Sequence, residues 1–186
     1  MKKNTHPFHD LKGERRDQLL ITCDQHGKPN GFATRKMCHQ ADGKTHLAFM
    51  AFVYDEKGNV WMTKRGKQKS LWAGFWDAST ISHVLPGEST ERAAERRGKE
   101  ELGIEVNFRK VGSFYYFAKF NGDCENEFCY VLVGKTMDVP HPNPVEIEDI
   151  KKIPARSLVS EVINQTSIYT PWLRFAIRKV VLPEKV

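Results

Sequence analysis

No run in this 186-residue chain approaches the roughly 18 apolar positions that a membrane-spanning helix needs, so no membrane span is expected. The amino-terminal MKKNTHPFHD is basic and polar with no apolar segment behind it, which gives no secretory leader to expect. Cysteine is scarce: Cys23, Cys38, Cys124 and Cys129 are the four, and none forms a CxxC pair. A disulfide framework is therefore excluded, and free thiols in a reducing compartment, by default the cytoplasm, are expected. Internal repeats, low-complexity linkers and long runs of one charge are also missing. The last absence matters because the net charge is +6. Dispersed positive charge suits a small phosphorylated ligand better than a nucleic-acid tail, so nucleic acid is not an expected partner.

What is present reads as a small, ordinary core. With 40% apolar and 28% charged residues, the chain suits one domain at residues 18–186 behind a loose polar arm at 1–17. LLITCDQHGKPNGFATRK and HLAFMAFVYDEKGNVWMTKR each place two apolar runs about a turn, which predicts two β-hairpins. LWAGFWDASTISHV predicts a further strand facing a cleft. VGSFYYFAKF and ENEFCYVLVG predict a third hairpin about Asn121-Gly122-Asp123. Between them, ESTERAAERRGKEELGIEV predicts a helix capped by Ser89 or Thr90 and stopped at Gly103. PARSLVSEVI and TPWLRFAIRKVV predict two carboxyl-terminal helices. The order implies an α+β domain of α/β/α layers, its mixed sheet built from hairpins.

On the charged helix, Arg96 and Glu100, and Arg97 and Glu101, stand at i,i+4. Alone, these are surface ion pairs worth about 0.3–0.5 kcal/mol each. With Glu88, Gly103 and Ile104, however, Arg96, Glu100 and Glu101 fill six of the nine defined positions of the Nudix box, G-x5-E-x7-R-E-U-x-E-E-x-G-U. The chain thus resembles the Nudix superfamily, whose helix glutamates hold a divalent metal against a diphosphate. Ser82, Arg97 and Gly98 depart from the pattern, and Arg97 puts a cation where a metal carboxylate is usual.

That departure, together with the motifs HLAF, KRGKQKSLWAGFW, SHVLPGES, ENE and TPW in order, resembles the type I isopentenyl-diphosphate isomerases, a Nudix branch. The resemblance runs from about Leu19 to the last helix. It implies a metal centre of His39, His46, His83, Glu125 and Glu127. Such a donor set favours Mn²⁺ or Zn²⁺ over Ca²⁺. It also implies that Glu101 meets an Mg²⁺ carried by the substrate diphosphate, and that Arg35, Arg65, Lys69 and Arg97 bind that diphosphate. Glu127, helped by Tyr116, would move one proton, and Trp172 would face the isoprenoid tail. The expected partner is a small-molecule diphosphate, with the chain a monomer or dimer.

One expected group is absent. Moving a double bond needs a second acid/base group, in this family a cysteine two residues before the metal histidine. That position is Ile81, a hydrocarbon. Three readings follow: an isomerase with a substitute group, for which Ser79, Ser82 and Cys124 are nearest in sequence; a Nudix hydrolase using Glu100 or Glu101; and an inactive diphosphate-binding homologue.

Overall fold

The computed structural model describes residues 15–180 and 182. Of the arm expected at 1–17, residues 1–14 lie outside the described residues. Its last part docks on the domain, where the Lys36 N–H donates to the Arg16 carbonyl at 3.0 Å.

Strands β1 (Leu19–Cys23) and β2 (Pro29–Thr34) form the first hairpin. The short helix α1 (Arg35–His39) follows, capped by the Thr34 hydroxyl, which accepts from the Met37 N–H at 3.3 Å. Strands β3 (His46–Tyr54) and β4 (Asn59–Arg65) follow, then β5 (Trp76–Asp77) and β6 (Thr80–His83). Helix α2 (Thr90–Arg97) has Ser89 as its cap. It continues as a π turn, Gly98–Leu102, that ends at Gly103 with φ 66°. Strands β7 (Phe108–Phe120) and β8 (Asp123–Lys135) form the last hairpin, followed by β9 (Ile147–Pro154), α3 (Ala155–Asn164) and α4 (Pro171–Lys179). Among the described residues no helix is long and apolar enough to cross a membrane.

All described strands join one sheet, and its axis is β3, buried along its whole length. A strand that is apolar on both faces needs cover on both. On one side Phe49, Ala51 and Val53 pack with Ala93, Ala94 and Leu102 of α2 and its extension. On the other, Met50 and Phe52 pack with Leu158 of α3 and with Trp172, Leu173 and Ile177 of α4. These are the expected α/β/α layers.

Three details differ from the sequence reading. β3 meets β4 over only two pairs; its long partner is β8, parallel over nine. The run from Leu71 to Val84 is not one strand, because Ser79 breaks it: its hydroxyl donates to the Trp61 carbonyl at 2.5 Å and accepts from the Val53 N–H at 2.7 Å. A side chain thus substitutes for ladder bonds. The polar segment IEDIKKIP forms β9 because β4 offers it a full edge, from Asn59 to Arg65.

Gly134 illustrates how tightly β8 is packed. A Cβ there would lie 2.4 Å from Val106 Cγ1 and 2.9 Å from the Asn107 carbonyl oxygen. The second neighbour is backbone and cannot swing aside. Gly134→Ala is expected to lower the unfolding free energy by about 1–3 kcal/mol, read from urea denaturation; an unchanged midpoint would show that the neighbouring loop yields.

Candidate metal and diphosphate site

Strand register assembles the centre. His46 lies opposite Glu127 across the parallel β3–β8 pair, and Tyr116 lies opposite Glu127 across β7–β8. His83 pairs with Ala48, two residues along β3 from His46 and therefore on the same face. Glu125 joins Glu127 by the same alternation, and His39 comes from the end of α1. The ligand atoms of His39, His46, His83, Glu125 and Glu127 all lie within 4.8 Å of one another.

The donor chemistry fits a divalent ion. The Nδ1 atoms of His39 and His46 lie 2.7 and 2.8 Å from the Arg35 and Lys44 carbonyl oxygens. A ring nitrogen facing a carbonyl carries the proton, so each Nε2 is left with a lone pair. His39 Nε2, His46 Nε2 and Glu125 Oε2 are buried without a hydrogen-bond partner. His39 Nε2 and Glu125 Oε2 stand 3.1 Å apart. Unpartnered buried acceptors are costly, and a cation among them relieves that cost. Burial, reinforced by Arg35 at 3.4 Å, holds His83 well below the usual imidazole range. Burial pushes the Glu127 carboxyl up, but His46 and Tyr116 more than offset this and hold it below its ordinary value. Glu125 is likewise lowered, its burial outweighed by His39.

Beside this centre opens a cleft of about 200 Å³, and Arg35, Arg65, Lys69 and Arg97 all line it. They are not equivalent. Arg65 is held by the protein: Nη2 donates to the Leu71 carbonyl at 2.8 Å and Nε to the Trp72 carbonyl at 3.1 Å, while the guanidinium lies 5.1 Å above the Trp172 ring. Trp72 has φ 47°, a left-handed conformation unusual for a bulky side chain. Lys69 and Arg97 share one carboxylate, Glu146, and Arg97 also pairs with Glu100 and Glu101. Glu101 accepts from the Thr80 hydroxyl and faces a smaller cavity rather than the main cleft.

Ile81, Tyr116 and Trp172 form the apolar end of the cleft. Trp172 packs at right angles to Trp72, and its indole N–H donates to both oxygens of buried Asp77, at 3.0 and 2.8 Å. Two of the three sequence candidates for the missing thiol do not reach this place. Ser79 spends its hydroxyl on backbone groups, and Cys124 is buried away from the cleft, with desolvation pushing its thiol up to about 11. Ser82 lines the cleft, but alternation along β6 turns it to the other face from Ile81. Sequence reading missed Glu146 and Asp77. Each is one acid among many, and only long-range partners distinguish them.

Residues 44–173 match the NUDIX domain family. The chain is 36% identical over 159 residues to an isopentenyl-diphosphate Delta-isomerase 2 of Photorhabdus laumondii, covering 85% of this chain and 89% of that protein. It is 34% identical to an isopentenyl-diphosphate Delta-isomerase of Paenarthrobacter aurescens, covering 84% and 86%. Among solved structures, a protein of Deinococcus radiodurans superposes with a TM-score of 0.68 at 20% identity, covering 87% of this chain and 98% of that one. A MutT NUDIX hydrolase of Burkholderia pseudomallei gives 0.58 at 21% identity, covering 74% and 98%. These two likenesses concern the fold alone.

Proposed function

The chain belongs to the Nudix family and, within it, to the isopentenyl-diphosphate Delta-isomerases, and from that premise we propose that it interconverts isopentenyl and dimethylallyl diphosphate in a metal-dependent reaction. The observation that carries this is where the unsatisfied polar atoms lie. Among the described residues they include three atoms of the His/Glu cluster, His39 Nε2, His46 Nε2 and Glu125 Oε2, whereas the Nudix carboxylate Glu100 is engaged by Arg96 and Arg97. A hydrolase of the ordinary kind carries a further metal carboxylate at the position of Arg97, and this chain has a cation there.

His39, His46, His83, Glu125 and Glu127 would hold Mn²⁺ or Zn²⁺, and Glu101, once released from its pair with Arg97, would meet Mg²⁺ on the diphosphate. The bound ions supply positive charge that offsets the diphosphate and fixes the carboxylates. Arg35, Arg65, Lys69 and Arg97 orient the diphosphate at the basic end of the cleft, which leaves the five-carbon group against Ile81, Tyr116 and Trp172. Glu127 Oε2, which accepts from the Tyr116 hydroxyl, removes a proton from the carbon between the alkene and the diphosphate-bearing carbon. The Trp172 face favours the tertiary cationic centre that forms on the adjacent alkene carbon.

The test incubates the protein with isopentenyl diphosphate, Mg²⁺ and Mn²⁺, and follows dimethylallyl diphosphate by chromatography and phosphate by a colour assay. Dimethylallyl product without phosphate is expected. Phosphate or diphosphate release without isomerisation would replace this reading with the hydrolase one.

A further inference from the structure

An isomerase with isoleucine at position 81 still requires a second proton-transfer group, and the described residues contain an acid in a suitable place. Asp77, in β5, is 1% exposed and its two oxygens differ. Oδ1 accepts from the Ala78 N–H at 3.0 Å, the Thr170 hydroxyl at 2.9 Å and the Trp172 indole at 3.0 Å. Oδ2 accepts from the same indole at 2.8 Å, and the charged Arg65 Nη1 is 3.7 Å away, beyond hydrogen-bond length. One lone pair of Oδ2 is thus left to hold a proton.

Asp77 also borders a cavity of about 20 Å³, with Thr63, Ile81 and Glu101 among its walls. That is room for one water, with enough polar groups to bind it. Arg65, Lys69, Ile81 and Glu146 line both this cavity and the main cleft. The acid-bordered water site and the cleft therefore adjoin along these residues, and Ile81 is the apolar one among them. Glu127 sits on β8, which does not pair with β5, so the two acids approach from different strands.

We propose that Asp77 takes the place of the missing thiol, passing a proton through a water in the cavity that adjoins the cleft beside Ile81 to the substrate alkene. The proposal rests on the isomerase reading. The protonated Oδ2 gives its proton to the water, which gives one to the terminal alkene carbon. The π pair forms that C–H bond and leaves a tertiary cation. Glu127 then takes the proton from the neighbouring methylene, whose C–H pair becomes the new double bond. One proton enters and one leaves, and exchange with solvent returns both acids to their starting forms. Several charged or titratable groups face Asp77: Arg65 from β4, Lys69, Glu101 and Glu146 around the cavity, and the Cys129 thiol from β8, whose titration Asp77 helps push up. Burial pushes the Asp77 carboxyl up to about 7 against the pull of Arg65, Thr170 and Trp172, so it carries a proton in many molecules near neutrality.

The test is deuterium entry from D₂O into the methyl groups of the dimethylallyl product, measured by NMR for wild type, Asp77→Asn, and the double variant Asp77→Asn with Ile81→Cys. Asp77→Asn should lower isomerisation at least about 100-fold while inorganic pyrophosphate with Mg²⁺ still binds. Adding Ile81→Cys should restore at least about tenfold, because the thiol supplies the proton directly. Asp77→Thr, which keeps an acceptor for the indole, replaces the amide variant if that one does not fold. An Asp77 variant that isomerises within a few-fold of wild type overturns this proposal alone. So does a lost activity that Ile81→Cys fails to restore, since Asp77 would then only position Trp172 and Arg65. A wild type that binds metal and pyrophosphate but never isomerises overturns the isomerase reading and this proposal with it.

Discussion

Glu127→Gln should lower isomerisation by about 10²- to 10⁴-fold, the range for removing a positioned general base. The substitution keeps the shape and the acceptor for the Tyr116 hydroxyl but removes the charge. Glu127 is 4% exposed and sits between Tyr116 on β7 and His46 on β3. His83 Nε2 lies 3.3 Å from its Oε1. No other carboxylate occupies that row of the sheet; Glu125 is displaced by two residues toward His39. A neighbour therefore cannot take over. The variant is assayed for product formation and, separately, for bound metal by elemental analysis. Activity that stays lost after metal is raised until elemental analysis shows the site refilled is the expected pattern for a proton-transfer role beyond metal ligation. Retained activity would move that role elsewhere.

The second large effect concerns Arg97. Replacing a Nudix carboxylate by arginine looks, in sequence, like the simple addition of a diphosphate ligand. The structure adds a folding role: the Arg97 side chain is 12% exposed and faces Glu100, Glu101 and Glu146. Burial alone would disfavour its charge, but those carboxylates reverse that and raise its pKa. Arg97→Met leaves Glu101 and Glu146, both about 5% exposed, with less compensation. Removing one partner from a buried ion network costs about 3–5 kcal/mol, so Arg97→Met should lose that much in urea unfolding without ligand. Pyrophosphate with Mg²⁺ should also stabilise the variant less than wild type. A stability change below about 1 kcal/mol would mean that solvent already screens the cluster. Charge reversal to glutamate would confound the two effects by bringing four carboxylates together, so the neutral variant is the cleaner probe.

Legibility from sequence followed the length of the pattern. Helices α3 and α4 and the β7–β8 hairpin carry strong local signals and lie where expected. Helix α1 has five residues and no room for a periodic stripe, yet it delivers His39. The π turn after α2 shows no sign of itself in a window of neighbours, since Gly98 at its start keeps ordinary right-handed helical angles. The β3–β8 parallel pairing joins residues about 80 apart, beyond any local rule, and it is this pairing that sets His46 beside Glu127. The five candidate ligands were legible only through a family resemblance; their convergence is a property of the registers. Asp77 and Glu146 were illegible for the opposite reason, since each gains its character from partners on other elements, Trp172 and Thr170 for the first and Lys69 and Arg97 for the second.

We propose that this Nudix chain converts isopentenyl to dimethylallyl diphosphate despite Ile81, using its His/Glu centre. Proton NMR of isopentenyl diphosphate in D₂O with the wild-type protein, before and after removal of metal by a chelator, tests it most directly. Dimethylallyl diphosphate carrying deuterium in a methyl group is expected, abolished by chelation and recovered on adding Mn²⁺ with Mg²⁺. Unchanged isopentenyl diphosphate with no deuterium entry, from folded and metal-loaded protein, would contradict it.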